Sequence, residues 1–215
     1  MVEDQGWLAA LDCDAIFSCV DRPWPRAALN LAAFAHLIPV VDGGITVNVA
    51  HGRLRGADWK AHIAAPSRRC LECAGQYDPS LVQAEREGRF EDPTYIRGLP
   101  TDHPLRRNEN VFAFSAATAS LEVLQFLSMT LAPNGIADTG AQNQHFTTGR
   151  LDIDQRSCRQ GCPYSEQLVA RGEDAAIVPT ARHAAGEDER RNRACQRTTR
   201  VRLERRLRSV LDRIA

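Results

Sequence analysis

Lysine is nearly absent. Lys60 is the only one, so arginine carries almost all the positive charge. No G-x-G-x-x-G stretch occurs anywhere, which removes the glycine-rich turn that cradles phosphates at a helix N-terminus. The first residues, MVEDQGW, hold no basic segment followed by an apolar one, so no secretory signal is expected. No apolar run reaches the roughly 20 residues that a membrane span needs, so no membrane partner is expected. Aromatic residues are only 6% of the chain, and no internal repeat is visible. The expected setting is cytoplasmic.

What is present suits one domain plus a tail. The chain has 215 residues, of which 43% are apolar. Its formal charge is zero but unevenly spread. Residues 181–215 contain 11 arginines and 5 acidic residues, a net of +6, which leaves −6 for residues 1–180. Residues 1–180 are therefore read as the folded domain. Residues 181–215 are read as an arginine-rich tail, with Leu203, Leu207, Val210, Leu211 and Ile214 at the spacing of an amphipathic helix. No aromatic residues accompany the tail arginines, so nucleic acid is not an expected partner. Seven cysteines is an odd number. Without an export signal they read as free thiols or metal ligands rather than disulfides.

Periodicity predicts an α/β fold. Residues 14–20 read as a short buried strand. Pro23 and Pro25 suit the first turn of a helix that runs to about Leu37. A second buried strand over 38–41 ends at Asp42-Gly43-Gly44. These form a parallel β-α-β unit. Residues 45–50 and 59–65 continue as strands of a mixed or antiparallel sheet. Residues 70–110 hold many charges and prolines and read as a long crossover loop. A strong helix is expected over 109–131, then a hairpin around Gly149.

Two groupings carry chemistry. Asp21 stands at the predicted carboxyl end of the first strand, where open parallel sheets bind ligands. Arg26 and Asn30 are four apart and share a helix face. A carboxylate there can hold magnesium for a nucleotide. It can also simply cap the helix and pair with Arg26. The second grouping is cysteine. Cys70-Leu-Glu-Cys73 and Cys158-Arg-Gln-Gly-Cys162 offer four thiolates, the ligand set of a tetrahedral structural zinc site. A redox role for the C-x-x-C pair and unligated buried cysteines are the other readings. Cys13 and Cys19 read as core, and Cys195 is unassigned. The six histidines, at 36, 51, 62, 103, 145 and 183, form no nucleophile motif.

The stretch Asp21, four residues, Arg26, three residues, Asn30, then a helix and IPVVDGG resembles the ThiF/MoeB/HesA family of bacterial ubiquitin-activating-enzyme-like adenylyltransferases. The NENVFAFSAATASLEVLQFL helix and the two cysteine pairs fit the same family, with C-x-x-x-C in place of its commoner second C-x-x-C. The resemblance covers about residues 8–173. It implies the C-terminal portion of a Rossmann-like fold with a zinc staple across the crossover loop. It implies that Asp21 holds the magnesium of Mg-ATP, with Arg26 and Asn30 lining the nucleotide site. The implied reaction is ATP-dependent adenylation of the C-terminal glycine of a ubiquitin-like or sulfur-carrier protein. Members commonly dimerise through the sheet domain, so a homodimer is implied. The family's phosphate loop would precede residue 14 and is missing, so the chain alone is expected to be inactive. Three explanations compete for the missing half: a start site read too late, a degraded gene, or a partner chain that carries it. No cysteine lies within 74–109 to carry a thioester. The alternative reading is a non-catalytic zinc-stapled module that binds a protein partner.

Overall fold

A computed structural model of the chain describes residues 4–51, 53–91, 97–98, 111–177 and 179–180. The tail 181–215, with its expected helix and Cys195, lies outside these residues, as do His103, His183 and most of 92–110. Residues 1–180 form one compact unit.

The described elements are α1 (Asp4–Leu11), β1 (Ile16–Ser18), α2 (Pro23–Ala35), β2 (Val40–Ala50), β3 (Arg53–Ala64), α3 (Pro79–Arg86), α4 (Phe112–Leu131), β4 (Ala141–His145), β5 (Leu151–Asp154) and α5 (Pro163–Glu166). The five strands make one mixed sheet in the order β1-β2-β3-β4-β5. Only β1 and β2 are parallel, with Ile16 opposite Val40 and Ser18 opposite Asp42. The other neighbours are antiparallel. The expected β-α-β unit followed by an antiparallel sheet is therefore present.

Three boundaries differ from the expectation. The first strand has three residues, and Phe17 is half-exposed on the open edge of the sheet. Beyond Ser18 the chain leaves the sheet to enter α2 through Pro23, which sits in the helix's first turn. The second difference is at Asp42-Gly43-Gly44, which does not close a strand. Gly43 pairs with Ala61 and Gly44 with Lys60, so β2 runs through them as one 11-residue strand. Glycine serves close approach here instead of a turn. A Cβ on Gly43 would lie 2.6 Å from the Glu122 carboxyl carbon and 2.7 Å from Thr118 Cγ2. The third difference is α4. It has 20 residues and a mean hydropathy of 1.3, the length and composition of a membrane-crossing helix. The expectation of no such run overlooked how weakly its serines and threonines count against its leucines, alanines and phenylalanines.

Alternation along β2 assigns its two faces. Val40 faces α2, where Leu29, Ala33, Phe34, Ala64, Leu71 and Tyr77 form the larger core cluster. Phe34 has no exposed surface, and its truncation to alanine would cost roughly 3–5 kcal/mol. Val41 and Val47 face α4, where Phe126, Met129 and Phe114 cover them. On the hairpin, His145 lies between Asp58 of β3 and Asp152 of β5, at 2.6 and 3.1 Å, and ties three strands together.

Glu122 is buried on the sheet-facing side of α4, and its Oε1 has no partner among the described residues. Burial pushes its carboxyl up to about 7, and the nearby Asp42 adds to this against the pull of Arg26. A buried acid with a raised pKa stabilises the fold most below the ordinary carboxylate range, and that contribution is lost as pH rises through about 7. Glu122's contribution to unfolding free energy should therefore fall between about pH 5 and 8 by on the order of 2 kcal/mol, against an opposite trend from His62, whose burial lowers its pKa. Glu122→Gln should flatten that slope in chemical denaturation series. A glutamine variant that keeps the wild-type slope would contradict the assignment.

Candidate metal centre

The sheet topology brings the cysteine pairs together. Strand β3 is antiparallel to β4, and β4 to β5, so β3 and β5 run in the same direction. Their carboxyl ends lie at one end of the sheet. Cys70 and Cys73 follow β3, and Cys158 and Cys162 follow β5. An Arg69–Asp154 ion pair ties the two exits. Asp154 also receives a two-pronged pair of hydrogen bonds from Arg156, at 2.8 and 2.7 Å, and these hold its carboxyl well below the usual range.

Each pair sits in a tight turn. After Cys70 the Ala74 N–H donates back to the Cys70 carbonyl and the Gln76 N–H to Leu71 O, both at 2.9 Å. Gly75 takes a positive φ of 69° between them, which a side chain rarely adopts. Cys162 is the N-cap of α5, with Pro163 opening the helix.

The four sulfur atoms all lie within 4.8 Å of one another. Cys70 Sγ and Cys162 Sγ are 3.7 Å apart. That is far beyond the ~2.05 Å of a disulfide. It agrees with the edge of a tetrahedron of sulfurs ~2.3 Å from a central zinc, which is about 3.8 Å. Two backbone N–H groups point at sulfur: Cys70 N–H at Cys158 Sγ, 3.2 Å, and Cys73 N–H at Cys70 Sγ, 3.3 Å. Cys70 and Cys162 have no exposed surface. Burial pushes the Cys70 and Cys158 thiols up, so these sulfurs ionise readily only against a cation. Four cysteines this close could bind a metal such as zinc. Arg159 stands beside them, with Nη1 3.7 Å from Cys73 Sγ and Nη2 on Glu72. With a dication held there, its charge would offset part of the excess negative charge of four thiolates.

Asn30 supports this knuckle from α2. It is wholly buried, its Oδ1 accepts the Leu71 N–H at 2.9 Å, and its Nδ2 donates to the Tyr77 hydroxyl at 3.3 Å. Tyr77 in turn reaches the Tyr164 hydroxyl at 3.3 Å, from the segment that carries Cys162. Arg26 also turns inward. Its Nε donates to Asp42 Oδ1 at 3.0 Å, Nη1 to Gln76 O at 3.1 Å and Nη2 to Gly43 O at 2.9 Å. Ser18 Oγ donates to the same Asp42 oxygen at 2.6 Å. The bonding groups of Arg26 and Asn30 thus contact other parts of the domain.

Asp21 is exposed, three residues past the end of β1 and ahead of α2. It neither caps α2, whose N-cap is Arg22, nor pairs with Arg26. The helix terminus is capped from elsewhere. The Trp24 N–H donates at 2.8 Å to Oε2 of Glu85, a buried residue of α3, and Arg22 lies 3.9 Å from the same carboxylate. Sequence reasoning missed Glu85, Asp42 and Tyr77. Asp42 was visible as a charged residue inside an apolar strand pattern. Glu85 and Tyr77 gave no signal, because their partners lie 61 and 47 residues away. No protein-family model matches this chain, and no curated protein matches it.

Removing Asn30 would leave the Leu71 N–H buried without its partner. Asn30→Ala should destabilise the domain by about 1–3 kcal/mol. Asn30→Asp keeps the acceptor and should recover part of the loss, read as the midpoint of urea unfolding.

Proposed function

We propose that this chain is a zinc-stapled α/β domain that acts as a protein-binding scaffold and does not adenylate by itself. The observation that carries this reading is the convergence of Cys70, Cys73, Cys158 and Cys162, with all four sulfurs within 4.8 Å. Structural zinc sites are closed four-thiolate cages of this kind. Here the cage would tie the segment after β3 to the segment after β5, across 84 intervening residues. Cys70 and Cys162 belong to the larger core cluster, so a metal held there would be continuous with the core. The inward commitment of Arg26 and Asn30 favours a scaffold over a nucleotide site.

The second reading is an incomplete ThiF/MoeB/HesA-type adenylyltransferase. Exposed Asp21, just past a parallel strand, favours it. In that reading Asp21 would hold magnesium, which stabilises charge on the phosphates of ATP. A ubiquitin-like or sulfur-carrier protein would present its C-terminal carboxylate.

Purified chain should contain one zinc per molecule by elemental analysis, and Cys70→Ser should lose it. Structural zinc contributes about 10–16 kcal/mol in small domains, comparable to the whole stability of a domain. Chelation should therefore abolish the cooperative unfolding transition. A metal-free chain with an unchanged transition would defeat the staple. ATP–pyrophosphate exchange with candidate carrier proteins separates the two readings. No exchange is expected. Exchange that Asp21→Ala removes would establish the adenylyltransferase instead.

A further inference from the structure

Lys60 is the only lysine among 27 lysines and arginines. It lies within β3, opposite Gly44 of β2 and Asn143 of β4. Residues opposite one another in a sheet share a face, so Lys60 projects on the same side as Asp42 and Gly44. That side is covered by α2 and by the loop after Cys73. The charged and titratable neighbours there are Arg26 of α2, Asp42 of β2, Asp58 and His62 of β3, and His145 of β4.

The amine is poorly served. Lys60 is half-buried, and among the described residues its Nζ has one hydrogen bond, to Gly75 O at 3.5 Å, and no ion pair. An ammonium brings three donors to that single acceptor, which stands at the limit of bonding distance. Burial lowers the amine's pKa, Arg26 lowers it further, and Asp42 opposes the change. An unprotonated amine is a nucleophile.

A second group marks the same place. Gln76 is only 6% exposed, and its Oε1 has no partner among the described residues. Lys60 and Gln76 border one small gap. A carbon placed on Gly44 would lie 3.6 Å from Lys60 Cε, 3.8 Å from Gln76 Oε1 and 3.3 Å from Arg26 Nη2. An amine that gains by losing its charge thus stands beside a buried acceptor that lacks a donor. An amide on Lys60 answers both, because it is neutral and keeps one N–H.

We propose that Lys60 is an acylation site, which takes a short uncharged acyl group from an activated donor, a thioester or an acyl phosphate. The amine nitrogen bonds to the acyl carbon. The bond from that carbon to sulfur or to phosphate oxygen breaks, and the amine's proton leaves with the thiol or the phosphate. The narrow gap selects a short chain, and Asp42 and Asp58 on the same face disfavour an acyl group that carries a carboxylate. The site does not depend on the metal centre or on either functional reading.

Acetyl-coenzyme A and acetyl phosphate, offered separately to the full chain near neutral pH, test this by peptide mass mapping. Lys60 should acetylate at least about tenfold faster than Nα-acetyl-lysine amide does with the same donor. Reaction with one donor alone supports the proposal and names the donor class, and reaction with both supports it for activated acyl groups in general. A rate no faster than that of the free amino acid derivative with both donors overturns it. Stability gives a second reading. The acetylated chain and Lys60→Gln, both neutral at this position, should unfold at higher urea than the unmodified chain, whereas Lys60→Arg, which keeps the charge, should not. An acetylated chain that unfolds at lower urea than the unmodified one also overturns the proposal.

Discussion

The fold depends on one constraint: the exits of β3 and β5 must lie side by side. Strand direction supplies it. With β4 between them, two antiparallel steps return β5 to the direction of β3, and both chains leave at the same end of the sheet. Everything around the cysteines follows from that placement. The Arg69–Asp154 pair, the Cys70 N–H on Cys158 Sγ and the Tyr77–Tyr164 contact all bridge the same pair of segments. A metal would lock a juxtaposition that the hydrogen-bonded sheet already sets up. This is why four sulfurs from distant parts of the chain can lie within 4.8 Å.

The polar residues under α2 add a second layer. Ser18, Asp42 and Arg26 join β1, β2 and the loop after Cys73 through charge-assisted bonds. Asn30 joins α2 to the cysteine knuckle. These groups are inside the protein, where an unpaired polar atom is expensive and a paired one fixes geometry. The two residues whose spacing suggested a ligand site thus do positional work. Arg26 sets the height of the loop over the sheet, and Asn30 sets the direction of Leu71.

Much of the architecture was legible in the sequence. The helix at Pro23–Ala35 announced itself by its prolines and its alanine–leucine pattern. The hairpin showed in Gly149, and the cysteine pairs in their spacing. Strand limits were less legible. Gly43-Gly44 has the composition of a turn, but the neighbouring strand and the tight approach of Glu122 hold it extended. Asp21 was legible as an acid near a strand end, while the absence of a cap or an Arg26 partner was not. Those outcomes were decided by Asp42 and Glu85, which sequence places far from the groups they bind. Long-range polar pairing leaves no periodic trace, so pattern reading cannot see it.

Glu85 has a consequence for anything negatively charged that approaches this end of the sheet. The first turn of α2 carries partial positive charge, but Pro23 and Pro25 have no N–H, so Trp24 supplies the donor there. In this chain that place is taken by a carboxylate on the chain itself. Packing of α3 on α2, with Arg86 over the Trp24 ring, holds that carboxylate in place. An external anion must outcompete it for the Trp24 N–H. The helix end thus behaves as a receptor supplied with its own antagonist.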